Sequence, residues 1–152
     1  MYYFAYGVHM NHRQLFALCP GARFVSEGEL SGYMLIFDGY CPDTRGAIVN
    51  LERSFDDAIC GGLFEIDDKN LKSLDENMGY PRYSERSLMQ VRKLGKSETV
   101  QAWVYFHEPL VDGMPSHEYI NAMVQGARDC RLPEGYIFSS IEPYRRVSDK
   151  NK

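Results

Sequence analysis

Short runs of aromatic and aliphatic residues, broken by glycine, occupy most of the first two thirds of the sequence. Such runs are typical of β-strands, and they fall at residues 2–6, 24–30, 33–37, 46–51, 60–66, 87–91 and 100–106. Ser31 and Gly32 separate the second run from the third, which predicts either two strands or one bent strand. Glycines inside the runs indicate bulges or close backbone approach, as a strongly curved sheet or barrel requires.

Three segments carry helical signals, at residues 11–18, 68–78 and 116–128. Apolar side chains recur on one face of the second and third segments at the spacing of an α-helix. Gly79, with Pro81 two residues later, predicts the end of the second helix. Groups of strands thus alternate with single helices, without regular βαβ units. This order predicts an α+β fold built on a mostly antiparallel curved sheet or barrel.

Length and composition predict one soluble domain at residues 1–146, followed by a polar tail at 147–152. The net charge of −4 argues against a nucleic-acid partner, because phosphate binding needs clustered Lys and Arg. We expect no membrane partner either, because no apolar run is long enough to span a bilayer. The first residues lack the basic and apolar regions of a signal peptide, so we expect a cytoplasmic location.

Cysteine and histidine spacing gives no metal signature. Four cysteines lie far apart, without a CxxC pair, and we expect free thiols. His9 and His12 stand three residues apart without a nearby third ligand, which favours a solvated pair over a metal site. We expect His107 and His117 at the surface.

The segment from Tyr6 to Met10 is a better candidate for a site. A strand that runs into Gly7 and then into a helix start points free backbone N–H groups to one place. Such a nest binds an anionic group or a developing oxyanion.

Five sequence blocks occur in a fixed order. They are YYFAYG at 2–7, LSGYMLIF at 30–37, GGLFEI at 61–66 with LDENMGY at 74–80, then Tyr83, and finally Tyr119, Gly126-Ala127, Leu132-Pro133 and Tyr136. Together they resemble the gamma-glutamylcyclotransferase-like superfamily over most of the chain. The resemblance implies a small mixed β-barrel with flanking helices and a single pocket.

The resemblance also implies a chemistry. Enzymes of this superfamily are cyclotransferases of transferase or lyase type, which close a γ-glutamyl group into 5-oxoproline and release an amino acid or amine without a metal or cofactor. We therefore expect a small γ-glutamyl or amino-acid-like ligand. The residues matching the superfamily's substrate-binding positions are Tyr3, Phe4, Ala5, Tyr6, Gly7, Val8, Tyr83 and Tyr119.

Two positions depart from the superfamily pattern. Its YGSN loop is Tyr6-Gly7-Val8-His9 here, which keeps the glycine and loses two polar side chains. Its acid/base glutamate is replaced by Met78, whose thioether cannot accept a proton at neutral pH. Loss of a general base typically slows a reaction by about a hundred- to ten-thousand-fold.

Two residues are candidate substitutes for that glutamate. Asp75 lies about 60° from Met78 around the helix, one turn earlier, although the superfamily carries aspartate there beside its glutamate. His9 lies on the pocket loop, and its side chain suits base catalysis. Two hypotheses follow, an enzyme with altered or weak activity and a non-catalytic domain that binds a small ligand or another protein on the same scaffold.

Overall fold

A computed structural model describes residues 1–145 of the chain. The strands are β1 (Tyr2–Ala5), β2 (Arg23–Cys41), β3 (Gly46–Glu65), β4 (Glu85–Lys93) and β5 (Thr99–Phe106). The helices are α1 (His12–Leu18), α2 (Asp68–Met78), α3 (His117–Asp129) and the short α4 (Glu134–Tyr136), with a 3-10 turn at Val8–Met10 and a π-helical turn at Ile137–Ile141. The predicted tail at 147–152 lies outside the described residues.

The five strands form a closed barrel in the order β1-β3-β2-β4-β5. Neighbouring strands are antiparallel except β1 and β5, which run parallel where Tyr3 pairs with Trp103. A closed sheet leaves no edge strand unpaired. The prediction of an α+β fold with a mixed barrel is confirmed.

Register shifts bend the two longest strands. In β2 the runs on either side of Ser31 and Gly32 belong to one strand, so the bent-strand alternative is correct. A register shift against β3 falls between Ser31 and Tyr33, and Gly32 between them has φ +88°. This left-handed conformation is one that glycine adopts without steric cost.

Glycine also permits close packing inside the barrel. A Cβ atom on Gly28 would lie 2.8 Å from Val91 Cγ1 and 3.2 Å from Leu63 Cγ. Leu63 and Val91 are both fully buried. Side chains from β3 and β4 therefore fill the space that a larger residue at Gly28 would occupy.

The predicted helices are present, with caps that fix their ends. Asn11 caps α1 by accepting from the N–H of Gln14 at 3.2 Å. Asp67 and Asn70 form a reciprocal capping box at the start of α2. Gly79 ends α2 in the left-handed conformation, with φ +70°, as the sequence predicts.

The cysteine prediction holds, whereas the prediction of a solvated histidine pair is wrong. Cys19, Cys41, Cys60 and Cys130 are all free thiols. His9 is only 9% exposed, because the 3-10 turn places its ring between Tyr3 of β1 and Asn77 of α2. His12 packs against aromatic rings instead of pairing with His9.

Within residues 1–145, no helix has both the length and the apolar character needed to cross a membrane.

Candidate active site

The loop after β1 presents backbone donors at one end of the barrel. Tyr6 anchors it, because its buried hydroxyl donates to the Tyr105 carbonyl at 2.5 Å. The N–H groups of Met10 and Asn11 donate to the carbonyls of Gly7 and Val8, both at 3.0 Å. The first N–H groups of such a turn, those of Val8 and His9, have no partner inside it.

Tyr119 of α3 lies beside this loop. A Cβ atom on Gly7 would lie 2.5 Å from Val49 Cγ1 and 3.6 Å from the Tyr119 hydroxyl. That hydroxyl accepts from the Val49 N–H at 3.1 Å. Burial raises the pKa of Tyr119, so its hydroxyl keeps its proton and is a potential donor. The structure thus brings together Gly7 and Tyr119, two of the residues that sequence predicts for substrate binding.

His9 is held between two neutral partners. Its Nδ1 lies 2.7 Å from the Tyr3 hydroxyl, and its Nε2 lies 3.0 Å from Asn77 Oδ1. Burial lowers the pKa of His9, and the Asn77 hydrogen bond opposes that shift. Burial also raises the pKa of Tyr3, so Tyr3 donates to Nδ1 and Nε2–H donates to Asn77. Both ring nitrogens of His9 are therefore occupied.

Asp75 is held by positive charge and a hydroxyl. Arg86 donates to it through Nε at 2.8 Å and Nη2 at 3.2 Å, and the Tyr105 hydroxyl donates at 2.6 Å. The guanidinium lies 4.3 Å from the ring centroids of Tyr80 and Trp103. This cluster ties α2 to β4 and β5. Its geometry favours a structural role for Asp75 over proton transfer.

The remaining predicted residues differ in exposure. Met78, the last residue of α2, is half-buried against the core. Tyr83 is 71% exposed on the turn that follows α2. Phe4 and Ala5 are buried in the core, so a ligand would reach them only through the backbone.

A buried polar cluster at the same end of the barrel was not predicted from the sequence. Asp38 of β2 and Asn50 of β3 are fully buried, and Asp38 Oδ1 contacts Nε2 of His107. Asn50 Nδ2 donates to Asp38 Oδ2 at 3.2 Å and to the His107 carbonyl at 2.9 Å. The His107 side chain is only 11% exposed, so the prediction that it lies at the surface is wrong.

The sequence holds only a weak signal for this cluster. Its members are separated by 12 and 57 residues, and no local motif contains them. Asn50 inside an apolar strand run is the one hint, because a buried amide requires partners. Within residues 1–145, no three His, Cys, Asp or Glu side chains come together to hold a metal ion.

Comparison with known proteins places this fold in a family. The AIG2-like family matches residues 58–139, more than half of the chain. The gamma-glutamylcyclotransferase of Bos taurus is 28% identical over 149 residues, covering 93% of this chain and 78% of that protein. That of Mus musculus is 26% identical over 159 residues, covering 97% and 84%.

A solved structure of a gamma-glutamyl cyclotransferase has the same fold, with a TM-score of 0.86 and 22% identity over 99% of this chain and 98% of that one. The chain therefore belongs to the AIG2-like family, within the gamma-glutamylcyclotransferase-like superfamily.

Proposed function

We propose that this protein binds a γ-glutamyl compound at the mouth of the barrel and cyclises it to 5-oxoproline, using a proton acceptor other than residue 78. The observation that carries the proposal is the donor loop, in which the N–H groups of Val8 and His9 have no partner inside the turn and Gly7 lies next to the Tyr119 hydroxyl, 3.6 Å from the position of an added Cβ. The relatives in cattle and mouse that bear the name gamma-glutamylcyclotransferase support this reaction class.

The reaction requires a folded substrate and an oxyanion site. The α-amino nitrogen attacks the side-chain amide carbonyl, the five-membered ring closes, and the amide C–N bond then breaks to release the amine. Negative charge develops on the carbonyl oxygen. Backbone N–H groups fixed by a turn stabilise such charge without reorganising. In our proposal Val8 and His9 supply these donors, and Tyr119 helps to bind the substrate.

Non-catalytic binding of the same ligand is the second candidate function. The apolar side chain of Met78 favours it, because residue 78 has no group that can take a proton. Both nitrogens of His9 and both oxygens of Asp75 already have partners. Turnover by the native chain therefore requires another base.

Product analysis separates the two functions. The purified protein is offered γ-glutamyl dipeptides and γ-glutamylamines, and 5-oxoproline is quantified by chromatography. We expect product from the native chain, and a rate about ten- to a thousand-fold lower in Tyr119→Phe, which loses a hydroxyl at the site. Tyr33→Phe, a change elsewhere on β2, is the matched control.

Other results would favour binding alone. Absence of product from the native chain, together with calorimetric binding of a γ-glutamyl dipeptide, contradicts the cyclotransferase proposal. Product that appears only in Met78→Glu would identify a binding protein whose scaffold still supports the chemistry.

A further inference from the structure

We infer that His107, oriented by Asp38, is the proton acceptor for cyclisation. This inference rests on the proposed function and assigns to the residue after β5 the role that residue 78 cannot fill. His107 follows the last residue of β5, at the end of the barrel where β1 delivers the donor loop.

The contacts of Asp38 fix which nitrogen of His107 is available. Asp38 Oδ1 contacts Nε2, so the neutral ring carries its proton on Nε2 and donates it to the carboxylate. Asp38 Oδ2 accepts from Asn50 Nδ2 at 3.2 Å and from the Leu110 N–H at 3.0 Å. Nδ1 of His107 has no hydrogen-bond partner within residues 1–145. A lone pair on Nδ1 is what a general base needs.

Asn50 fixes the position of the histidine backbone. Its Oδ1 accepts from the His107 N–H at 3.2 Å, and its Nδ2 donates to the His107 carbonyl at 2.9 Å. The ring is thus held by the carboxylate and the main chain by the amide. A catalytic base is most effective when its orientation is fixed before the substrate arrives.

One hydrogen bond and one electrostatic interaction connect this cluster with the candidate site. Tyr6, which precedes the donor loop, bonds through its hydroxyl to the carbonyl of Tyr105, two residues before His107. Burial raises the pKa of Tyr6, and the neighbouring Tyr119 and Asp38 groups add to that rise. The carboxylate, Tyr6 and Tyr119 therefore lie within electrostatic reach of one another.

A purely structural role accounts less well for the cluster. The segment after His107 is already fixed to β2 and β3 by backbone hydrogen bonds, Gly39 N–H to Val111 at 2.8 Å, Gly113 N–H to Phe37 at 3.2 Å and Ala47 N–H to Met114 at 2.9 Å. Burying a carboxylate among apolar strands is costly unless every partner is supplied. A histidine that acts as a catalytic base needs a group that orients its ring, and this requirement explains why Asp38 is buried beside His107.

The proposed step conserves every atom. As the α-amino nitrogen bonds to the side-chain carbonyl carbon, Nδ1 of His107 takes the proton that this nitrogen loses. Asp38 stabilises the resulting imidazolium. When the amide C–N bond breaks, His107 returns the proton to the leaving nitrogen, so neither water nor a cofactor is consumed. His107 is the catalytic residue in this proposal, and Asp38 is a positioning residue.

Kinetics over a pH range test the assignment. We expect His107→Gln to lower kcat by about a hundred- to ten-thousand-fold with little change in KM, and to abolish the acid limb of the kcat/KM profile. Asp38→Asn should lower kcat with little change in KM, because the ring loses the carboxylate that orients it. Asp38 is the titratable group that contacts the ring, and Tyr6, just after β1, bonds to the carbonyl of Tyr105, two residues before it.

Two controls remove charge from the same segment and leave the side-chain hydrogen bonds of Asp38 and His107 in place. Glu108→Gln and Asp112→Asn change exposed carboxylates and should leave the profile unchanged. Thermal melting of each variant establishes that it is folded. A folded His107→Gln with native kcat overturns the inference and leaves the proposed function standing. Absence of 5-oxoproline from the native chain overturns both.

A measurement on the native protein covers the case in which His107→Gln does not fold. Glutaryl-alanine lacks the α-amino nucleophile and therefore binds without cyclising. We expect it to shift the ¹⁵N resonances of the His107 ring together with the Gly7 amide. If the Gly7 amide titrates to saturation while the His107 ring does not move, the inference is wrong.

Discussion

Two histidines at one end of the barrel show how partners decide what a residue can do. Both are largely shielded from solvent, since 9% of the surface of residue His9 and 11% of that of the His107 side chain are exposed. Burial lowers the pKa of His9, and a phenol and an amide occupy both of its ring nitrogens. His107 contacts a carboxylate through Nε2, and its Nδ1 has no hydrogen-bond partner among the described residues. This difference in partners is why our proposal gives catalysis to His107.

The buried position of His9 predicts a pH-dependent stability. Because burial lowers its pKa, the unfolded chain binds a proton at His9 more readily than the folded chain. The stabilisation is therefore complete above the unfolded pKa of about 6.5 and is lost as the pH falls toward the folded pKa. His9 contributes at most about 1.4 kcal/mol per pH unit in this window.

Urea unfolding between pH 7.5 and 5 measures this effect. We expect His9→Gln to reduce the fall in the free energy of unfolding below pH 6.5 relative to the native chain. His117→Gln also removes a histidine but keeps the contacts of His9 with Tyr3 and Asn77. Its free energy of unfolding should therefore change with pH more nearly as that of the native chain does. Identical slopes for the native chain and His9→Gln would contradict the prediction.

At the scale of elements, the position of α3 against the 3-10 turn determines the geometry of the site. The helix carries Tyr119, and the turn follows Gly7. Gly126 lies where they meet, and a Cβ atom there would lie 2.3 Å from the backbone nitrogen of Asn11 and 2.6 Å from the Met10 carbonyl carbon. Backbone atoms cannot move aside as a flexible side chain can, so α3 approaches the turn closely because residue 126 is glycine.

Gly126→Ala should consequently separate α3 from the turn. Alanine is the better helix former, but overpacking typically destabilises by about 1–3 kcal/mol. We expect a net loss of stability in urea unfolding and weaker binding of glutaryl-alanine, because Tyr119 moves relative to Gly7. Gly135→Ala is the matched control, since nothing lies within 4 Å of its added Cβ. Equal free energies of unfolding for Gly126→Ala and Gly135→Ala would contradict this prediction and show that the turn shifts to make room for the added methyl group.

For the whole molecule, the barrel and its outer helices bury three of the four thiols. Cys19, Cys60 and Cys130 are buried, whereas Cys41 near the end of β2 is partly exposed. Burial raises the pKa of Cys19 and Cys60 to about 11 and that of Cys130 still further. Reaction of these three thiols requires both exposure and deprotonation.

Thiol labelling at pH 8 therefore reports the folding of the whole domain. We expect one thiol to react rapidly with a disulfide reagent and three to react at least about a hundredfold more slowly, at a rate that rises with urea. Cys41→Ser should remove the fast phase alone. A second fast thiol in the native protein would mean that a part of the domain opens independently.

Local patterns in the sequence determined the elements and their ends. The cap at Asn11, the paired carboxylates that open α2 and the left-handed Gly79 depend on interactions within a few residues, which is why they are readable without a structure. The bend at Gly32 is local for the same reason. The ordered blocks also predicted the superfamily and its barrel, and both predictions are confirmed.

Only the tertiary structure decided which polar groups meet. Asp38, Asn50 and His107 come from three segments that become neighbours when the barrel closes, and nothing local distinguishes them from isolated polar residues. The same holds for His9 with Asn77, 68 residues apart, and for Asp75 with Arg86. Hydrogen bonding and desolvation depend on distances in space, so the fold alone determines which polar residues of the sequence become partners.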